Sequence, residues 1–278
     1  MRVWFITGAS RGLGALITAE ALATGDSVVA TARDPKVLAA RFGDHPRLLA
    51  TRLDVTREEQ AREAVEAAIK RFGRIDILLN NAGHGLLGAV EEATAREIER
   101  IFSTNVFGLL AVTRAVLPHM RHQRSGHVIN ISSLGGYGAY PGWGVYCATK
   151  FAVEGLTEAL AAELAPLGIK ATVVEPGFFR TDFLDNQSLA VAEPIPDYAA
   201  TSGATRVAAE RLNHSQPGNP VKLARALLVL VDAERPPLRL ALGSDTVARI
   251  EGKNRSVAGE LAAWHTLSVS TDGFDAVP

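Results

Sequence analysis

The chain has 278 residues, 29 Lys and Arg against 30 Asp and Glu, and a formal net charge of −1. That length allows one sizeable core, and the mixed signs exclude a basic face for nucleic acid or for a membrane surface. The single Cys147 rules out an internal disulfide, the first strand pattern starts almost at Met1, and no apolar run approaches the roughly 18 residues of a bilayer span, so a cytoplasmic single-domain protein is expected.

Strand and helix patterns alternate along nearly the whole chain. An apolar strand is predicted over 2–7, followed by Thr7-Gly8-Ala9-Ser10-Arg11-Gly12-Leu13-Gly14 and a helix over 13–24. A strand follows over 27–31, a helix over 35–42 and a strand over 48–53 that ends at Asp54. A helix over 57–72 has Thr56 as its expected N-cap. The strand over 75–79 leads into Asn80-Asn81-Ala82-Gly83. Thr94 is placed to cap a long helix running to about 120, with Asn105 inside it. Then come a strand over 127–131, a helix over 146–164, a strand over 170–175, a helix over 198–212, a helix capped by Asn219-Pro220 to about 232, and a strand over 238–242. The alternation predicts an α/β fold: a Rossmann-type, doubly wound parallel sheet of about seven strands in a single domain. Ligands of such sheets lie beyond the carboxyl ends of the strands, where Gly8, Asp54, Asn80, Ser133 and Pro176 all fall.

Tyr146 and Lys150 stand four positions apart, so on a helix they share one face. A cation beside a phenol favours the phenolate and lowers its pKa from about 10, so that the phenol can exchange a proton with a carbonyl or alcohol near neutrality. Most such pairs are a surface Tyr and a solvated Lys. Three upstream features reverse that expectation: the Gly-x-x-x-Gly-x-Gly turn of Gly8, Gly12 and Gly14, which offers backbone N–H groups to a pyrophosphate at a helix start; Asn80–Gly83 after a strand; and Ser133 thirteen positions before Tyr146. The glycine spacing departs from the G-x-G-x-x-G fingerprint.

With these pieces in this order the chain resembles the short-chain dehydrogenases/reductases, and its wider wording, including Glu175-Pro176-Gly177-Phe178-Phe179-Arg180-Thr181, resembles their hydroxysteroid- and retinol-dehydrogenase-like branch. The resemblance implies an oxidoreductase that interconverts a ketone or aldehyde and an alcohol by hydride transfer, with a nicotinamide cofactor. It implies Tyr146 as general acid/base, Ser133 as donor to the substrate oxygen, Lys150 as the group that lowers the Tyr146 pKa and bonds the nicotinamide ribose, and Asn105 as a helix-kinking residue that holds a water relaying protons from Lys150. Cofactor contacts are implied for Gly8, Ser10, Arg11, Gly12, Leu13 and Gly14; for Asp54 and Val55 at the adenine; for Asn80, Ala82 and Gly83 at the adenosine ribose; and for Pro176, Gly177, Phe179 and Thr181 at the nicotinamide.

Family spacing puts Ala32 where an NAD-selective carboxylate would stand, with Arg33 next to it. A guanidinium fork suits the 2′-phosphate, so NADP(H) is the expected cofactor; Asp34, if the turn is shifted, would instead favour NAD(H). Apolar residues near the expected carbonyl site suggest a lipophilic substrate. Residues 183–217 are expected to form a substrate lid. Residues 245–278 are expected to form a helical extension that blocks a second oligomer interface or covers the lid. The long helices around 98–120 and 151–164 are apolar on more than one face, which, with the family's pairing of these helices, implies a homodimer. No Cys/His/Asp set has metal-ligand spacing. Two readings compete with the NADP(H)-dependent reductase: an NAD(H)-dependent secondary alcohol dehydrogenase, and a non-catalytic nucleotide-binding sensor or partner-binding protein on the same fold.

Overall fold

A computed structural model describes residues 1–273. Seven strands form one all-parallel sheet: β1 (Val3–Ile6), β2 (Ser27–Ala32), β3 (Leu48–Arg52), β4 (Ile77–Asn80), β6 (Gly126–Ile131), β7 (Ile169–Pro176) and β9 (Arg239–Leu242), in the order β3-β2-β1-β4-β6-β7-β9. Two short strands, β5 (Gly85–Leu87) and β8 (Leu189–Val191), form a separate parallel ladder. The helices are α1 (Gly12–Ala23), α2 (Pro35–Phe42), α3 (Glu58–Phe72), α4 (Ala95–Phe102), α5 (Leu109–Gln123), α6 (Gly144–Leu164), α7 (Ala204–Leu212), α8 (Pro220–Asp232) and α9 (Ser244–Val269).

The sequence accounts for the layers. β1, β2 and β4 are buried on both faces; their sequences are largely apolar, and Thr31 of β2 is satisfied by donating to the Ile6 carbonyl. On one side α1, α2 and α8 bury Ile17, Leu38 and Leu227 against the sheet; on the other, α3 and α5 bury Val65, Val112 and Val116. In α3 the buried positions Ala61, Ala64, Val65 and Ala68 fall on one stripe, acidic Glu58 and Glu59 open the helix, and Gly73 closes it in the left-handed conformation. The chain winds from β1 out to β3 and returns to β4, so the switch point lies between β1 and β4, at the glycine turn and at Asn81–Gly83.

Several local features differ from expectation. Thr56 does not cap α3, whose N-cap is Arg57; its hydroxyl and N–H both go to Asp54 Oδ1, at 2.7 and 3.0 Å. The strand expected at 75–79 runs from Ile77 to Asn80, because the N–H of Ile75 is taken by the Gln123 side chain. β5 and β8 are too short to carry a periodicity. Thr94 does cap its helix, in a full capping box with Glu97. Asn105 lies in a π-helical turn, Ser103–Gly108, that joins α4 to α5. The joined helix Ala95–Gln123 has the length and composition to cross a membrane, but its Val112, Val116 and Met120 are buried against the sheet.

Candidate active site

The glycine turn forms the floor of the site. Gly8 (φ +67°) and Gly12 (φ +53°) take left-handed backbone that a side chain would strain. A Cβ on Gly14 would run into the Gly8 carbonyl and the Asn81 amide, so only glycine lets the start of α1 sit this close to β1. Asn81 fixes the turn by donating to the carbonyls of Thr7 and Gly8, and Thr7 Oγ1 accepts from the N–H groups of Asn81 and Ala82. Asn81 was not among the expected site residues. Asn80 was, but it turns into the core, where it bonds Thr113 and Asn130 at 2.9 Å each. The cradle fits an extended dinucleotide phosphate: bare backbone at a helix start, opening into a cavity of about 600 Å³. Gly8, Ser10, Arg11, Gly12, Leu13, Asp54, Val55, Ala82 and Gly83 line that cavity, whereas Gly14 and Asn80 support it from behind.

At the end of β2 the cavity is lined by Ala32 and Arg33. Asp34 is not among the lining residues; its carboxylate caps α2 by accepting from Lys36 N at 3.0 Å. Arg11 is committed elsewhere too. Its guanidinium donates to Gln187 Oε1 and to the Gln187 carbonyl, both at 2.7 Å, and lies 4.0 Å from Asp182. It therefore latches the phosphate turn to the lid. Arg41 of α2 donates to the Ser10 carbonyl and brings another cation to the turn.

Tyr146 and Lys150 lie on the same inward face of α6, both buried. The Tyr146 ring packs edge-on against Trp143, with 5.4 Å between centroids, and against Phe183 at 5.7 Å. Burial pushes its phenol above the ordinary tyrosine value, while the neighbouring Ser133 hydroxyl opposes that shift. The expected lowering by Lys150 does not contribute to this shift, which desolvation dominates. The ammonium lies 5.8 Å from the ring centroid and donates to the Ile131 carbonyl at 2.9 Å. Burial brings Lys150 itself down to about 8. Ser133 accepts from Gly135 N at 3.1 Å, which aims its hydroxyl into the cavity.

Asn105 is a clamp. Its amide donates to the His84 carbonyl at 3.0 Å and to Thr149 Oγ1 at 3.1 Å, and its oxygen accepts from His84 N at 3.1 Å. The side chain ties the strand leaving Gly83 to α6 and has no hydrogen left for other donation. His84 lines the cavity, and burial lowers its pKa. Cys147 is buried; its thiol, pushed up by burial, lines the cavity beside Gly135. His127 bonds Thr172 at 2.9 Å, and burial brings it down to about 4, so it is neutral. Among the described residues no group of three His, Cys, Asp or Glu is placed to hold a metal ion.

The opposite wall is Pro176, Gly177, Phe178, Phe179 and Thr181. Asp245, at the start of α9, accepts from Phe178 N at 2.7 Å and fixes this turn; nothing in the sequence flagged it. Leu134, Tyr140, Trp143, Phe178 and Phe183 give the Tyr146 end an apolar lining, while Leu86, Leu87 and Tyr137 stay outside it. The segment 183–217 does overhang the cavity, supplying Phe183, Leu184, Gln187, Leu189, Ala190, Thr205 and Gln216. It is tied down by the β5–β8 ladder and by Glu92, which accepts from Ala89 N, from Ile195 N at 2.8 Å and from Arg206. The Arg206 hydrogen bond holds the Glu92 carboxyl down at about 2. This carboxylate anchors the lid above an ordinary carboxylate pKa and releases it as pH falls toward 2. Glu92→Gln should therefore raise proteolytic cleavage within 190–210 at pH 7 and abolish the acid-induced part of that cleavage; equal cleavage of both forms at every pH would refute the anchor.

Of the two placements expected for the extension, the one over the lid has no hydrogen bond between α9 and residues 183–217 among the described residues. The hydrogen bonds of α9 to the body run from Arg249 to the Ala139 carbonyl, from Tyr137 to Asn254, from Phe178 N to Asp245 and from Thr246 Oγ1 to the Leu242 carbonyl. Residues 253–273 are exposed, and residues 274–278 of the expected extension lie outside the described residues.

A glycine cradle at the switch point, with a Tyr, Lys and Ser group at the far end of the same cleft, defines a dinucleotide-dependent oxidoreductase of α/β architecture. The family model described as short chain dehydrogenase matches residues 2–191, and the chain belongs to the short-chain dehydrogenase/reductase family. It is similar to Oxidoreductase BOA17 of Botryotinia fuckeliana, 40% identical over 275 residues, covering 97% of this chain and 99% of the relative. It is also similar to 3-ketodihydrosphingosine reductase of Bacteroides thetaiotaomicron, 41% identical over 244 residues, covering 87% and 88%. A short-chain dehydrogenase from Streptomyces avermitilis superposes with a TM-score of 0.90 at 44% identity, covering 98% of this chain and 100% of that one. ElxO with NADP bound follows with a TM-score of 0.73 at 28% identity, covering 89% and 99%. The chain is thus an oxidoreductase of the family, and a nicotinamide cofactor is supported.

Proposed function

We propose that the protein is an NADP(H)-dependent oxidoreductase that interconverts a lipophilic ketone or aldehyde and its alcohol. The observation that carries this reading is the single cavity with the glycine turn and Arg33 at one end and Tyr146, Ser133 and Lys150 at the other. When bound, the nicotinamide supplies or takes the hydride. Tyr146 gives its proton to the substrate oxygen in reduction and takes it back in oxidation. The Ser133 hydroxyl donates to the same oxygen as negative charge grows there. The Lys150 cation favours the ionised phenol, and Asn105 keeps α6 in register with Gly83. Trp143 and Phe183 exclude water from the phenol and give the substrate an apolar seat. Arg33, with Asp34 spent on capping α2, supports NADP(H) over NAD(H). The apolar lining and the keto-lipid named for the Bacteroides relative support a long-chain ketone substrate.

NADPH oxidation measured over a panel of ketones of increasing chain length tests the reading. Turnover should rise with apolar length. Nucleotide binding without turnover of any carbonyl would establish a sensor instead.

We also infer a homodimer. Most of the apolar residues on α4, α5 and α6 are absorbed by the chain's own core, including Ile101, Val106, Leu109, Val112, Val116 and Val153, but Phe107 is 62% and Phe151 45% exposed. Two aromatic side chains left in water on neighbouring helices fit a self-complementary interface. Light scattering at micromolar concentration should give twice the chain mass; a monomer, or an unchanged mass in Phe107→Lys, would refute it.

A further inference from the structure

On the α6 side of the sheet, behind Ser132 and Ser133, lies a buried ionic cluster that this chemistry leaves unused. Glu175 of β7 is fully buried, and neither of its carboxyl oxygens has a hydrogen-bond partner. Arg239 of β9 lies 3.9 Å from it. The same guanidinium is nearer to Glu154 of α6, at 3.2 Å, and also pairs with Glu158 at the surface. Glu154 is 5% exposed. Its second oxygen and the Ser132 hydroxyl both crowd Gly136. Glu154 is one turn beyond Lys150 on α6.

Charge balance assigns the states. The groups facing Glu154 are Lys150 and Glu158 from its own helix, Glu175 from β7 and Arg239 from β9, with the Ser132 hydroxyl from the end of β6. Two cations meet three carboxylates. A buried carboxylate without a hydrogen bond is the most costly of these to ionise. Glu175 is that group, and burial, reinforced by the Glu154 charge, raises it to about 7. Burial raises Glu154 as well, but Arg239 at 3.2 Å and the Ser132 hydroxyl oppose that shift, so its carboxylate is the better stabilised anion of the two, with Lys150 one turn away on the same helix. Its charge acts on Lys150 against the desolvation that strips the ammonium of its proton.

We propose that Glu154 is a positioning residue of the active site: anchored by Arg239, its carboxylate is the buried counter-charge that keeps Lys150 protonated over the working pH range. The proposal rests on the reading of Tyr146 and Lys150 given above.

The test is the pH dependence, from 6 to 10, of kcat/KM and of the NADPH Kd. In Glu154→Gln the limb on which Lys150 loses its proton should move about one unit to lower pH, and the Kd near pH 8 should rise about fivefold. Glu154→Asp keeps the carboxylate and should retain the wild-type limb, and Glu154→Met, which fills the space without the charge, should move it as Glu154→Gln does and serves as the independent variant should Glu154→Gln fail to fold. A purely structural role would change thermal stability in both neutral variants and leave the limb in place. Superimposable profiles in a folded Glu154→Gln or Glu154→Met, or a limb in Glu154→Asp shifted as far as in Glu154→Gln, would overturn the proposal. Lys150→Ala separates the two levels. If it binds NADPH like the wild type, the reading of Lys150 fails; if it loses binding while Glu154→Gln keeps the wild-type profile, only the role of Glu154 fails.

Glu175 supplies a second check on the charge assignment. Its pKa is raised on folding, so the folded form holds the extra proton between about 4.5 and 7, and stability falls as pH rises through that window. Glu175→Gln should melt with the wild type near pH 4, melt higher than the wild type at pH 8, and leave the kcat/KM profile below pH 7 unchanged. A lower melting temperature at pH 8 would show that Glu175 is an ionised, stabilising partner of Arg239, contrary to the assignment.

Discussion

Tyr146→Phe should lower kcat by at least about 10²–10⁴-fold and leave NADPH affinity nearly unchanged. The substitution removes one hydroxyl from a ring whose position is set by other contacts. Trp143 and Phe183 pack against the ring, and its backbone lies in the first turn of α6. Phenylalanine fills the same space, so the fold and the nucleotide end of the cleft should be undisturbed. What is lost is the tyrosine proton placed next to the Ser133 hydroxyl. Single-turnover measurements with NADPH and a ketone would isolate the chemical step. A variant that keeps more than about a tenth of the rate would mean that another group supplies the proton, since a positioned general acid contributes far more than that.

Arg33→Ala should raise the KM for NADPH about 10–100-fold, as expected for a phosphate–guanidinium contact of roughly 1.5–3 kcal/mol, while the KM for NADH stays nearly the same. Asp34 caps α2 instead of entering the cleft, so the β2 end offers Ala32 and Arg33 to the adenosine ribose and no carboxylate. Arg11 contributes less here than its place in the glycine turn suggested, because Gln187 occupies its fork. A wild-type preference for NADH would return Asp34 to the ribose and require the cap on α2 to break.

The sheet was legible because parallel strands buried on both faces write themselves as largely apolar runs, and each run here ends at a residue that needs a particular backbone or side chain. Thr94 and Asn219 announced helix starts through capping chemistry that acts within four residues. The site was legible where its parts are local, as in the glycine turn and the Tyr146–Lys150 turn. It was not legible where a role depends on residues distant in sequence. Asn80 and Asn81 are adjacent, and only the strand register decides that the first faces Asn130 in the core and the second faces the cleft. Asp245 lies 67 positions from the amide that it binds. Arg11 reaches the lid across 176. The upward shift of Tyr146 follows from desolvation by the whole fold, which no local spacing encodes.

α9 belongs to two different parts of the molecule. Its first turn is built into the wall of the cleft, through Asp245 on the Phe178 amide and Arg249 over the Tyr140 ring at 4.2 Å. Beyond Asn254, which still accepts from Tyr137, the helix stands in solvent, with Leu261 60% and Trp264 63% exposed. Shortening the chain from its carboxyl end therefore has a threshold. Removal back to about residue 256 leaves every α9 hydrogen bond to the body in place, so an affinity handle or a fused domain can be attached there without reaching the cleft. Removal of a further dozen residues takes away Asp245 and frees the turn that carries Pro176 and Gly177. The point at which a truncation series stops binding nucleotide thus marks where the enzyme ends and its appendage begins.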